Sequence, residues 1–244
     1  MDLTVHQFEQ LELMNQKNNN KVLLKGIIFD FDGVIAESVQ IKNDAFADLY
    51  SPFGNEVVKK VLSYEKNNHG ISRFKKIKYY HNSILNVDLS EEKIMELSTR
   101  FSELVVDKVI EAPYVPGVLD YIHRSYDKYR LFVSSATPTS EIKQILAGKK
   151  IMNYFTAVYG SPESKKNHIT DICIKNNLKT EELIFFGDST SDIDAAKVHG
   201  IQFILRIHKH NQTNFQGFIG QKIQNFISLD TNTLFSNESI NFQC

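Results

Sequence analysis

The feature that most constrains this chain is an apolar run, residues 22–29, that stops at Asp30-Phe31-Asp32-Gly33. A run rich in Val, Ile and Leu and halted by glycine reads as a strand buried on both faces, as in parallel sheets. Two carboxylates two residues apart at its carboxyl end stand where open α/β sheets receive their ligands. A plainer reading is a turn whose aspartates cap the next helix. What the rest of the chain supplies decides between them.

After the acidic turn the texture becomes helical. Residues 39–50, 56–66, 71–85 and 91–110 each repeat apolar side chains at three- and four-residue spacing. Ser90 precedes Glu91 and Glu92 as a helix cap precedes an acidic first turn. Pro113 and Pro116-Gly117 then punctuate a return to alternating elements. Helices are expected at 117–126, 139–147, 165–176 and 192–199, and strands at 129–133, 156–159, 183–186 and 201–206, with a last candidate strand at 226–229. Strands alternating with ten-residue helices argue for a parallel sheet covered on both faces. The expected class is therefore α/β, a Rossmann-like doubly wound parallel core carrying an inserted all-helical domain. The boundaries read as a loosely attached leader over 1–21, a core of 22–36 and 112–244, and a helical insertion over 37–111.

Composition narrows the partners. The chain has 244 residues, 23% of them charged, with a formal net charge of −1, so nothing advertises a nucleic-acid or membrane-surface partner. No apolar run approaches the roughly 20 residues of a transmembrane helix. The N-terminus lacks the basic-then-apolar layout of a secretion signal, and Cys173 and Cys244 suggest no disulfide framework. A cytoplasmic location is the default expectation.

The other strand ends carry polar residues of complementary kinds. The strand through Val133 ends in Ser134-Ser135; the strand near Val158 is followed by Lys165-Lys166; the strand at 183–186 ends in Gly187-Asp188-Ser189-Thr190-Ser191-Asp192. Singly, each has a bland account as a cap, a solvated lysine or a turn former. Together, on one face of one sheet, they describe a site for a divalent cation and a phosphoryl group. Clustered carboxylates without His or Cys favour Mg²⁺ over zinc. A phosphate dianion repels an attacking carboxylate, so a cation and an ammonium must offset that repulsion. One aspartate can then act as nucleophile and a second as general acid and base, roles for which Asp30 and Asp32 have the spacing.

These residues resemble, in order and spacing, the four motifs of the haloacid dehalogenase (HAD) superfamily: Asp30-Phe31-Asp32-Gly33-Val34, Ser134, Lys165, and Gly187 through Asp192. The helical block is similar to the C1 cap of its phosphoglycolate phosphatase/β-phosphoglucomutase-like branch. The resemblance spans about residues 22–229. It implies Asp30 as nucleophile and Mg²⁺ ligand, and Asp32 as general acid/base with its backbone carbonyl on the metal. It also implies Ser134 and Lys165 on the phosphoryl group, and Asp188 and Asp192 in the metal site. Ser135 is expected to share the work of Ser134. Lys166 is an alternative to Lys165, because the usual Lys-Pro of the motif is absent. Dehalogenases lack the second aspartate and phosphonatases replace it, so Asp32 points to phosphate esters.

On the expected cap helix, Arg73, Lys76 and Tyr80 fall to one side of the stripe Ile71, Phe74 and Ile77, and Gly70 allows a tight turn into it. Arg73 and Lys76 are expected to read an anionic or polyhydroxylated part of the substrate, with Gly33 and Ser135 completing substrate binding; the plainer account is a solvated basic face. His208-Lys209-His210 is read as solvated rather than as a metal tract, and His168 as a surface or satisfied core residue. The function expected is a Mg²⁺-dependent phosphatase acting on a small phosphorylated metabolite, a sugar phosphate or phosphoglycolate-like acid, through an aspartyl-phosphate. The alternatives are a phosphomutase of the β-phosphoglucomutase type and a catalytically idle binding module.

Overall fold

The computed structural model describes residues 22–236, so the expected leader and Cys244 lie outside the described residues. Six parallel strands form one sheet in the order β3-β2-β1-β4-β5-β6. They are β1 (Gly26–Phe29), β2 (Arg130–Pro138), β3 (Ala157–Ser161), β4 (Leu183–Gly187), β5 (Gln202–Arg206) and β6 (Gln221–Ile223). β1 is central, with Ile27 opposite Leu131 on one side and Ile184 on the other. It begins later than the apolar run suggested. Val22 and Leu23 are exposed, because pairing on both sides starts only at Gly26.

The period of two along each strand divides the core into two layers. Ile27, Phe29, Leu131, Val133, Ile184 and Phe186 face one layer. Helices α5 (Val118–Ser125) and α6 (Thr139–Gly148) close it with Val118, Tyr121, Ile142 and Ile145. Ile28, Phe132, Phe185 and Leu205 face the other, closed by α7 (Lys165–Asn176) and α8 (Thr190–His199) through Ile169, Ile172, Ala195 and Ala196. Helices on both faces confirm the doubly wound reading.

Between β1 and β2 the chain is helical: α1 (Val39–Tyr50), α2 (Asn55–Glu65), α3 (Arg73–Tyr79) and α4 (Glu91–Glu111). Phe46 packs on Phe101 at 4.2 Å between ring centroids and edge-on against Tyr80, which gives these helices their own aromatic cluster. Ser90 caps α4 as expected, its hydroxyl accepting from the Lys93 amide at 3.3 Å. The expected helix over 71–85 is instead α3 followed by a wider π-helical turn, Tyr80–Leu85. The two connections to the sheet run side by side, with the Glu37 amide donating to the Pro113 carbonyl at 2.9 Å.

The candidate strand at 226–229 is a turn. Phe226 is fully buried against Phe186 and Tyr121, each 5.2 Å between centroids, so its apolar signal is core packing. The last strand among the described residues is β6, an edge strand two-thirds polar, the composition that protects an open sheet edge. A short helix, α9 (Thr231–Ser236), follows. No helix among the described residues is long and apolar enough to cross a membrane.

Candidate active site

The chain leaves β1 toward β2 on one side and returns to β4 on the other, so the crevice at the carboxyl ends of β1 and β4 is the switch point where such sheets bind ligands. Asp30 follows β1; Asp188 and Asp192 follow β4 and enter α8. All three are buried, and one carboxylate oxygen from each lies within 4.8 Å of the others. Lys165, in the first turn of α7, reaches between them, with Nζ 2.8 Å from Asp30 Oδ2 and 2.5 Å from Asp192 Oδ1. Asp192 also caps its own helix, accepting from the Ser189 amide and hydroxyl at 3.0 and 2.6 Å. Lys165 is buried whereas Lys166 is exposed, so the structure places the first lysine of the pair on the acids.

Three buried carboxylates share a single ammonium. Burial raises the Asp30 carboxyl well above its ordinary range, and Asp192, Asp188 and Asp32 add to this against Lys165. Burial and the Asp192 charge raise Asp188 in the same way. The same acids raise Lys165 despite its burial. An all-oxygen donor set of this kind, short of positive charge and out of water, fits a hard divalent cation.

Asp32 stands apart from this group. Its carboxylate turns to the Lys42 ammonium and accepts from Ser38 Oγ at 2.6 Å. Lys42 also donates to Thr137 Oγ1 at 2.7 Å, joining the first helix to the end of β2. Although burial pushes the Asp32 carboxyl up, Lys42 and Ser38 outweigh it and hold the group below its ordinary value. Gly33 follows at φ +72°, and a Cβ there would lie 2.2 Å from Asp188 Oδ2. Its contribution is to let the turn after β1 approach the acids.

The two serines expected at the phosphoryl group are both buried but have different neighbours. Ser134 is fully buried and its hydroxyl meets His168 Nδ1 at 2.9 Å, so His168 is a satisfied core residue. Ser135 instead lines a cavity of about 330 Å³ beside Lys165, with Gly70, Lys75 and Ser191 among its walls. Gly70 touches down on the turn after β4. Its carbonyl accepts from Ser191 Oγ at 3.0 Å, and a Cβ on it would meet the Ser189 and Ser191 hydroxyls at 2.2 and 2.1 Å.

Arg73 and Lys76 have internal partners where the helical pattern suggested a face presented to substrate. The Arg73 guanidinium grips both oxygens of Glu141, at the start of α6, and both residues are buried. Lys76 is buried against Glu65 at 2.5 Å. Sequence spacing shows which residues share a helix face; it does not show an acid arriving from another element.

Four further side chains around the acids had no role in the sequence reading. Lys42 and Thr137 orient Asp32 as described. His208, expected to be solvated, is buried with Nε2 2.8 Å from Asp188 Oδ2, and burial with nearby Arg206 pushes its pKa down to about 4. Arg206 donates to the Gly33 carbonyl at 2.9 Å and grips Glu37. The alternation of basic residues from 206 to 210 was the available signal, but only the fold shows which of them turn inward.

A family model described as haloacid dehalogenase-like hydrolase matches residues 27–206. Phosphoglycolate phosphatase 1 of Pseudomonas aeruginosa is 23% identical over 195 residues, covering 76% of this chain and 70% of that protein. β-Phosphoglucomutase from Clostridium difficile superposes with a TM-score of 0.71 at 17% identity, over 87% of this chain and 96% of the other. CbbY from Rhodobacter sphaeroides, solved with xylulose-1,5-bisphosphate, superposes with a TM-score of 0.69 at 16% identity, over 85% and 96%.

Proposed function

We propose, since the chain belongs to the haloacid dehalogenase-like hydrolase family, that it is a phosphoric monoester hydrolase which uses Mg²⁺ and an aspartyl-phosphate to dephosphorylate a small metabolite. The observation that carries this reading is the meeting of Asp30, Asp188 and Asp192 around one point with Lys165 between two of them. Asp30, Asp188 and Asp192 would hold the cation, with the Asp32 carbonyl as a further donor. Bound there, Mg²⁺ offsets the phosphate charge that would otherwise repel the nucleophile.

In the first step the Asp30 carboxylate attacks phosphorus, the bond to the ester oxygen breaks, and Asp32, which takes up a proton as the ester binds, passes that proton to the departing oxygen. In the second, Asp32 takes a proton from water as it attacks phospho-Asp30, releasing phosphate and restoring both carboxyls. Lys165 steadies the nucleophile, and Ser135, on the cavity wall, holds a phosphoryl oxygen in the role first expected of Ser134. Lys42 and Ser38 fix the position of the Asp32 carboxylate, and Thr137 ties Lys42 to the end of β2. The segment 37–111 acts as a cap over this site, and residues 22–36 with 112–236 form the catalytic core among the described residues. That reading is supported by the paired connections and by the Gly70 contact with the turn after β4.

The substrate class follows the named relatives: a phosphoglycolate-like acid or a sugar phosphate. A phosphate-release assay over p-nitrophenyl phosphate, phosphoglycolate and a panel of sugar phosphates tests this. Release that needs Mg²⁺ and is abolished by EDTA is expected. No release from any ester, release indifferent to EDTA, or an isomerised sugar phosphate in place of free phosphate would each reject it.

A further inference from the structure

We propose that His208 is a positioning residue that fixes the Asp188 carboxylate so that a single oxygen, Oδ1, is offered to the cation. The inference rests on the reading of Asp188 as a cation ligand given above.

The hydrogen bonds around the ring settle where its proton sits. His208 Nδ1 accepts from the main-chain amide of His210 at 3.3 Å. The proton is therefore on Nε2, which donates to Asp188 Oδ2 at 2.8 Å. The backbone that carries the ring is held as well. The His208 amide donates to Asn211 Oδ1 at 2.8 Å, and the Asn211 side-chain amide donates to the Arg206 carbonyl at 2.9 Å. The same amide group donates to the Asp188 carbonyl at 2.8 Å. The loop after β5 thus holds Asp188 at two points, its carboxylate and its main chain. Gly33 leaves room for the contact, since a Cβ there would lie 2.2 Å from Asp188 Oδ2 and 3.1 Å from His208 Nε2.

The consequence is a choice of coordination mode. A free carboxylate can rotate and bind through both oxygens, which suits a large cation with an irregular shell. Mg²⁺ demands near-octahedral geometry with short bonds, and a carboxylate held by one oxygen satisfies it better. With Oδ2 engaged by His208, Asp188 is set in that form before the cation arrives. Groups that hydrogen-bond a metal ligand from behind typically affect affinity about 10–100-fold.

The test is the affinity for Mg²⁺ alone, measured by isothermal titration calorimetry on the full chain, for the wild type, His208→Ala and His208→Gln. Thermal melts in EDTA establish that each variant is folded. The alanine variant should bind Mg²⁺ about 10–100-fold more weakly. Glutamine places an amide N–H near the position of Nε2 and should recover most of that loss. Alanine binding as tightly as wild type, or glutamine binding as weakly as alanine, overturns the role of His208 while leaving the cation site intact. A wild type that binds no Mg²⁺ overturns the cation site itself, and this inference with it.

Discussion

Replacing Glu141 by alanine leaves the Arg73 guanidinium buried without its counter-charge. Arg73 and Glu141 are only 4% and 6% exposed, and two guanidinium nitrogens meet two carboxylate oxygens, Nη1 and Oε2 at 2.8 Å. The partners left to Arg73 are the Ser102 hydroxyl and the Ser98 carbonyl, both neutral, and the face of Phe101. Breaking a buried pair by removing one member costs about 3–5 kcal/mol, because the stranded charge is not returned to water. At roughly 2–4 °C per kcal/mol for a chain near this size, Glu141→Ala should melt about 6–20 °C below wild type. The double variant Arg73→Met, Glu141→Leu removes both charges, keeps most of the volume, and should regain most of the loss. Urea titrations of the wild type, Arg73→Met, Glu141→Leu and the double variant complete the cycle, with equal m-values as the condition for comparing them. A Glu141→Ala variant within about 1 kcal/mol of wild type would refute the reasoning, since that is the behaviour of a solvated surface bridge. Arg73 would then be free for the substrate role its helix position first suggested.

Asp32→Asn should lower kcat/KM on an alkyl phosphate by about 10²–10⁴ and much less on p-nitrophenyl phosphate, whose leaving group departs without a proton; equal losses on both would remove Asp32 as the proton donor. Lys42→Met, which deletes a charge-assisted bond worth about 1.5–3 kcal/mol, should slow the alkyl ester about 10–100-fold with little change in KM, and an unchanged kcat would show that Asp32 needs no such support. His168 is pushed down to about 4 by burial, against 6.5 for a free histidine. Its folded pKa lies below the unfolded one, so the unfolded chain takes the proton first. Stability is full above pH 6.5 and declines as pH falls toward 4, by up to about 3 kcal/mol from this residue. Urea midpoints of His168→Gln across that range should show a shallower acid limb than wild type, and parallel limbs would contradict the assignment.

The sheet was legible because strands buried on both faces advertise themselves as apolar runs; β4 and β5 end at residues that break the run, and β1 stops just before Asp30. The acids were legible because they sit at fixed offsets from those ends. β6 was not, since Gln221 and Lys222 leave Ile223 as a single apolar residue rather than a run, and the strand pairs only with β5. Phe226 carried a strong signal for the wrong reason, as a side chain inserted from a turn. Side-chain pairings between distant elements were hidden altogether: Glu141 reaching Arg73, Lys42 reaching Asp32 and Thr137, His208 reaching Asp188. Each joins residues that no local period relates, and each decides whether a polar side chain faces the site or is held inside the protein. Ser134 meeting His168 while Ser135 lines the cavity is the same lesson at one-residue scale, because neighbouring residues on a strand point to opposite faces.

In the proposed reaction the phosphoryl group passes through Asp30. A chain supplied with Mg²⁺ and an ester it turns over, quenched in acid and digested, should yield an acyl phosphate on the peptide that contains Asp30. Asp30→Asn should show neither the modification nor turnover. Turnover with the Asp30 peptide unmodified, and phosphate found instead on a serine or histidine, would contradict it.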